Sequence, residues 1–378
     1  MGRRLVPSAA WRLPEISIFR ALFSLAKKNP SATPLASYLA AAYALLVTYA
    51  SLHPFVGWRD NGAPVFAYLS AAWPRYYTDF DLAVNILAYV PLGFLLVSAL
   101  QPRLGVAAAA LIAALAGGGL SFTMETLQNF LPSRVSSNID LACNAIGALI
   151  GAAAGMNWGR ALADGGRLHR LRTRLVVPGK TADFGLVLLG LWLLAQLNPE
   201  LLLFGTGDLR VLLELPLLPY SAQRFAVLEA GVTAGGLLAA GLIGWSLLRL
   251  RNRWLLALLV LPLAIKAFAN AVLVKAAQFV QWVTPGNAAG LAAGAVLLLA
   301  ATWLPPLAQR ILAALALLFV TALVNLAPEN PYLTASLAVW QQGHFLNFNG
   351  LTKLVSSLWP FAALPYLMLP RPRMGEGS

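Results

Sequence analysis

Two stretches of the chain repeat one arrangement of polar residues. "DFDLAVNILAYVPLG" begins at Asp79 and "DLACNAIGALIGAAAG" at Asp140, and each contains D-L-A-x-N followed by an apolar run. Residues four apart share a helix face. Asp81 with Asn85, and Asp140 with Asn144, therefore form two oxygen-rich pairs. Between them "SFTMETLQNF" carries Glu125 and Gln128, three apart, and "LPSRVSSN" supplies Arg134, Ser136 and Ser137. Carboxylates and amides suit sugar hydroxyls, a guanidinium suits phosphate, and three carboxylates can hold Mg²⁺ or Ca²⁺ through oxygen. The candidate ligand-binding residues are Asp81, Asn85, Glu125, Gln128, Arg134, Ser136, Asp140 and Asn144.

Each residue also has a plainer role. An Asp at a helix start complements the unpaired N–H groups and the positive end of the dipole. Asn and Gln hydrogen-bond between helices in lipid, for about 0.6 kcal/mol on average. The grouping speaks against these roles alone. A carboxylate at mid-bilayer costs about 2.5–3.5 kcal/mol to insert, less near the interface, and usually serves a site. Glu125 stands at the end of a helix, where the dipole disfavours an anion.

The elements that position these residues follow from composition. The 378 residues are 59% hydrophobic and 11% charged, with mean hydropathy +0.71, whereas soluble domains carry about 25% charged residues. Long Leu- and Ala-rich runs predict an all-α fold, a polytopic membrane helical bundle rather than a barrel. Ten spans are expected, at about 35–52, 82–100, 104–127, 139–156, 184–197, 225–248, 254–280, 288–304, 307–327 and 354–369. The first is read as a retained signal anchor. The net charge of +13 falls mainly in alternate loops, which places both termini in the cytoplasm and excludes nucleic acid as a partner. Spans two and four then run in the same direction, and both D-L-A-x-N pairs face the outer side.

The chain divides into an N-terminal arm (1–34), a four-helix membrane domain (35–156), a basic cytoplasmic linker (157–182) and a six-helix region (183–378). Two outer loops, 198–224 and 328–353, are too apolar for open loops and are read as interfacial or re-entrant. Gly147, Gly151 and Gly155 form a stripe for close helix packing. Pro91 is expected to kink the second span and free a carbonyl. Lys266, Asn270 and Lys275 could line a second polar cavity; the favoured reading is that Lys275 snorkels outward or that the segment bends at the interface. The lone Cys143 permits no intrachain disulfide.

The N-terminal unit resembles the VanZ-like family, small membrane proteins named for a teicoplanin-resistance protein. The resemblance covers about residues 40–156 and rests on "DLAVNILAYVPLGFLL" and "ETLQNFLPSRVSSNIDLACNAIGALIG". The family's Asp–Asn pair, Glu with a following Gln, Arg, and second Asp–Asn pair match Asp81, Asn85, Glu125, Gln128, Arg134, Asp140 and Asn144. The six-span remainder departs from short members of the family. The resemblance implies a multi-pass protein of the bacterial cytoplasmic (inner) membrane, with a role in the cell envelope or in glycopeptide-antibiotic tolerance.

Three functions stand open at this point. The first is binding of a membrane lipid, a lipid-linked glycan or a cell-wall precursor in an outward polar pocket, with no cofactor. The second is a metal-assisted hydrolase or transferase on lipid phosphates, using a divalent cation. "SRVSSNID" resembles the Ser-Arg-x5-His element of membrane lipid phosphatases, but Asp140 stands at the His position. The third is a transporter. Against it, the carboxylates within or bordering the spans are read as gathering at the outer ends, away from the midplane.

Overall fold

The computed structural model describes residues 35–60, 62, 64–73, 79–159, 167–210, 212–216, 219–249, 251–271, 279–328 and 346–369. These residues fall in one compact unit. The helices are α1 (Leu35–Leu52), α2 (Ala67–Ser70), α3 (Asp79–Leu104), α4 (Val106–Gln128), α5 (Asn138–Trp158), α6 (Arg167–Leu175), α7 (Lys180–Ala195), α8 (Ala222–Leu247), α9 (Arg251–Ala269), α10 (Pro285–Ala301), α11 (Pro306–Leu326) and α12 (Leu346–Met368). The protein is an all-α membrane protein. Among the described residues six helices are long and apolar enough to cross a membrane: α1, Asp81–Leu104 of α3, α4, α5, α8 and α11. Leu259–Ala269 and α10 are shorter apolar helices.

Every expected span overlies a helix. The seventh differs in extent. A span over 254–280 is expected, while α9 ends at Ala269 and residues 272–278, with Lys275, lie outside the described residues. Most of the second odd loop, 329–345, also lies outside them.

Helix ends follow local chemistry. Ser137 caps α5 by accepting from the Asp140 N–H, and Thr284 caps α10 by accepting from the Asn287 N–H, with Pro285 following in the first turn. Gly105 has φ +79 and separates α3 from α4 in a single residue. That left-handed turn favours glycine because it carries no Cβ.

Helices α3, α4 and α5 pack mutually, with α1 against α3 and α4. A Cβ at Gly147 would overlap the Ile86 carbonyl, one at Gly151 the Val90 carbonyl, and one at Gly155 would lie 2.7 Å from Val97 Cβ. Contact positions rise together on the two helices, so α3 and α5 run parallel with backbones in close approach. In the remainder, α8 packs on α7, α9, α10 and α11, and α12 packs on α7 and α11. Helix α1 also packs on α7 and α12, and so belongs to the walls of both groups.

The first odd loop turns inward. Leu203 and Phe204 are buried, and Phe204 lies 5.2 Å from the ring of Trp192. Its backbone is satisfied by side chains: Gln196 accepts from the Phe204 N–H (3.2 Å), Ser356 Oγ donates to the Gly205 carbonyl (3.1 Å), and Asn325 accepts from the Leu209 N–H (2.9 Å). Irregular backbone inside protein at membrane depth requires such partners.

Lys266 of α9 points into the protein. It is 2% exposed, and Nζ donates to the carbonyls of Asn198 (2.6 Å) and Leu201 (2.8 Å) in the same loop. The loop carbonyls give a buried ammonium the acceptors it would otherwise seek in water. Asp183 departs from the expected gathering of carboxylates at one end. It opens α7, is fully buried, and pairs with Arg172 of the basic helix α6 at 2.9 Å.

Candidate functional site

Asp81 and Asp140 both occupy the third position of their helices. Because α3 and α5 are parallel and in contact, the two motifs lie side by side. Asn85 Nδ2 donates to Asp140 Oδ1 at 2.8 Å, a hydrogen bond from the first motif to the second. Asp140 lies close enough to Asp81 to feel its charge.

Glu125 ends α4, yet its carboxylate is not at the unfavourable end of a dipole. The connection to α5 folds back, and Glu125 Oε2 accepts the N–H of Ser137, the N-cap of α5, at 2.9 Å. The anion thus meets the positive end of the next helix. Ser136 Oγ donates to the Glu125 carbonyl at 2.6 Å and fixes that turn. Glu125 is 3% exposed and feels the opposing charges of Asp140 and Arg134.

Arg134 and Gln128 are directed elsewhere. Arg134 Nε and Nη2 donate to the His53 carbonyl (3.0 and 2.6 Å), and Nη2 also to the Ala50 carbonyl (3.1 Å). Gln128 Nε2 donates to the Ser51 carbonyl at 2.8 Å. The last carbonyls of α1 have no partner within their helix, and a cation is favourable at that end. These donors close α1. Burial draws the Arg134 guanidinium below its ordinary pKa, and Glu125 opposes the shift. His53 shares a hydrogen bond with Tyr49 Oη through Nδ1 (3.0 Å) and is held below its usual value by burial and then by Arg134.

One turn deeper lies a second polar layer. Asn144, four residues after Asp140, donates through Nδ2 to Ser121 Oγ at 3.0 Å. Ser121 stands four before Glu125, and Tyr89 four after Asn85. Ser121 is fully buried, Tyr89 3% and Asn144 6% exposed. Each of three helices thus contributes one residue to an upper layer (Asn85, Glu125, Asp140) and one to a lower layer (Tyr89, Ser121, Asn144). The layers are about 6 Å apart along the helices. Asn144 Oδ1 has no hydrogen-bond partner, and Tyr89 Oη lies near Ser121 without a hydrogen bond of normal geometry. Tyr89 and Ser121 did not stand out in the sequence. The signal for them was the same four-residue spacing, continued one turn inward.

The connection between α1 and α3 folds over this end of the bundle. Tyr68 of α2 is buried, with Oη 3.1 Å from Thr126 Oγ1, and Asn138 Nδ2 donates to the Ala71 carbonyl (2.8 Å). Trp58, Phe66 and Trp73 are exposed around it.

The structure therefore brings together Asp81, Asn85, Glu125, Ser136, Asp140 and, one turn down, Asn144. It places Gln128 and Arg134 beside them, on the end of α1. Among the described residues no three His, Cys, Asp or Glu side chains form a group able to hold a metal ion. Residues 18–158 match the profile of the family described as VanZ/LLP1, a longer segment than the 40–156 expected from the motifs. No curated protein and no solved structure matches the chain.

Proposed function

From this VanZ-like N-terminal region, we propose that the protein binds the head group of a membrane lipid or lipid-linked glycan in the polar cluster at the end of α3, α4 and α5. The observation that carries the reading is the Asn85–Asp140 hydrogen bond, which joins the two repeated motifs into one cluster next to Glu125. A buried carboxylate on α4 and half-buried ones on α3 and α5 cost insertion energy that helix packing alone does not require. The exposed aromatics Trp58, Phe66 and Trp73 favour headgroup depth for this end, which suits a ligand whose tail remains in lipid.

The cluster faces outward from the cytoplasmic membrane, the ten helices that overlie the expected segments all span, and both termini are cytoplasmic, as the Lys and Arg asymmetry of the loops requires. Cysteines placed at 136 in a Cys143→Ser background label from outside, and those at 168 only after permeabilisation. Labelling at 168 without permeabilisation overturns the orientation.

Binding is tested with the full chain in nanodiscs titrated with a polyprenyl-linked glycan. Asp140→Asn and Asn85→Leu should each weaken binding by about tenfold or more, the worth of a charge-assisted hydrogen bond. Unchanged affinity with reduced thermal stability in both variants would make the cluster an inter-helix tie and sink the reading. The proposed place of this activity is the cell envelope, where head-group binding can alter precursor availability and glycopeptide-antibiotic tolerance.

A further inference from the structure

We propose that α6 and the segment it pairs with form a docking surface for the phosphate of an anionic membrane lipid. The surface follows the far end of α5 from Asp140, so it is separate from the polar cluster.

Two basic segments meet here. "RLHRLRTRLVVPGK" (167–180) carries five Lys or Arg and no Asp or Glu, and "RLRNR" (249–253) adds three Arg. Like charges repel, yet the backbone joins the segments. The Val177 N–H donates to the Leu247 carbonyl (2.9 Å), the Arg249 N–H donates to the Leu175 carbonyl (2.8 Å), and Val176 bridges Leu248 in antiparallel fashion. Leu247 ends α8, an apolar helix long enough to cross a membrane. Val176 and Leu247 are buried in the core there, and Arg172 pairs with the buried Asp183. Helix α6 is thereby fixed to the end of a span.

The charges that remain outward are few and close along the chain. Arg172 is offset by Asp183. Arg170 already interacts within the protein and is not counted. Arg174, Lys180 and Arg249 are exposed. Arg249 Nη1 donates to the Thr173 carbonyl at 2.8 Å, which sets that guanidinium beside the residue before Arg174. This bond uses one of its five N–H donors. Among the described residues the Arg174 and Lys180 side chains have no polar partner. Guanidinium groups pair with phosphate oxygens in a planar, two-point geometry.

The neighbours of these cations select a lipid over a free anion. Leu171, three residues before Arg174 and so on the same side of α6, is 51% exposed. Trp158 is exposed at the end of α5, and too few residues separate it from α6 for another span. An indole and an aliphatic side chain beside basic groups suit headgroup depth. A free phosphate gains nothing from Leu171, whereas a lipid engages the cations with its phosphate and the leucine with its chains. A choline lipid brings its own cation, so the preferred lipid carries net negative charge. Positive charge that served only to orient the chain would need neither the bridge to α8 nor a buried ion pair.

The test uses the full chain in nanodiscs of equimolar dioleoyl-phosphatidylcholine and dioleoyl-phosphatidylglycerol, released for native mass spectrometry. The glycerol lipid should be retained over the choline lipid by about tenfold or more. Arg174→Gln and Lys180→Gln should each lower that preference about fivefold, the worth of one basic residue at a charged surface. Arg103→Gln removes an exposed charge at the same end of the neighbouring α3 and should leave the preference unchanged. Millimolar inorganic phosphate should not strip the bound lipid.

Equal retention of the two lipids by the unmodified protein would overturn the proposal whatever the variants do. A preference that survives Arg174→Gln with Lys180→Gln, or that falls as far with Arg103→Gln, would remove it from α6. Stripping by inorganic phosphate would make this a site for free anions and overturn the lipid assignment. None of these outcomes depends on what the cluster around Asp140 binds.

Discussion

Two helix pairs, α3 with α5 and α8 with α10, approach through three glycines at four-residue spacing. In the first, Gly147, Gly151 and Gly155 meet the backbone or side chains at Ile86, Val90 and Val97; in the second, Gly286, Gly290 and Gly294 meet Ala226, Ala230 and Ala234. Both pairs are parallel, and both set a buried glutamate nearby. The polar groups around the second glutamate are closed. Thr284 Oγ1 donates to Glu229 Oε2 (2.5 Å), Thr233 Oγ1 donates to Asn287 Oδ1 (2.6 Å), and Asn287 Nδ2 donates to the Trp282 carbonyl (2.7 Å). None of these four side chains has a buried polar atom without a partner, whereas Asn144 beside the first glutamate does. The same packing device can therefore carry a finished internal network or an unfinished one. An unfinished one has room for a ligand's donors.

The largest effect should fall on both interfaces alike. Gly151→Leu and Gly290→Leu each force a side chain into the facing backbone and should cost about 3 kcal/mol. Size-exclusion and thermal unfolding in detergent should show little folded protein for either. A well-folded Gly290→Leu protein would break the parallel between the pairs.

Substituting the glutamates should separate them. Glu125→Gln keeps an acceptor for the Ser137 N–H but removes charge, so head-group affinity should fall by about tenfold or more with stability within about 1 kcal/mol. Glu229→Leu leaves the Thr284 hydroxyl without its acceptor and should cost about 1–3 kcal/mol of stability with affinity unchanged. Titration calorimetry and thermal unfolding on the same preparations read both quantities. A reversed pattern would exchange the roles assigned to the two networks.

Arg134→Gln should act as loss of a helix cap. It should lower stability by about 1–2 kcal/mol, allowing for partial exposure, and leave head-group affinity intact. If it abolishes binding while stability is preserved, the guanidinium contacts the ligand.

The smallest effect is a pH dependence at His53. Its folded-state pKa lies below the ordinary 6.5 because of burial and Arg134. The unfolded chain therefore takes up the proton first. The stability contributed by the neutral ring is full above pH 6.5 and is lost as pH falls through the lower folded value. His53→Gln should flatten thermal stability over that interval, and an unaltered profile would remove His53 from the linkage.

The repeated D-L-A-x-N was legible because it appears twice at one spacing, and Gly147, Gly151 and Gly155 marked a close-packing face, whose partner on α3 only the structure supplies. The positions of Gln128 and Arg134 were not legible. Spacing places a residue on a face, but the carbonyls of Ala50, Ser51 and His53 are distant in sequence, and nothing local announces that α1 ends beside them. The partners of Lys266 were not legible for a related reason. They belong to a loop more than sixty residues earlier whose inward turn depends on Gln196, Asn325 and Ser356. The glycines of "PGNAAGLAAGAV" have the same spacing as those of α5, and read together with Glu229 they would have pointed to the second interface.

The contact of α1 with α12 sets an order on biosynthesis. The first described helix to leave the ribosome is completed by the last, since α12 covers part of a surface that α3 and α4 leave open. Helices α1, α3, α4 and α5 have their mutual contacts available early, but α1 keeps a face toward lipid or an insertion chaperone until nearly the whole chain has been made. Chains released before residue 346 would leave that face of α1 without its α12 cover, and membrane quality control has that face to recognise.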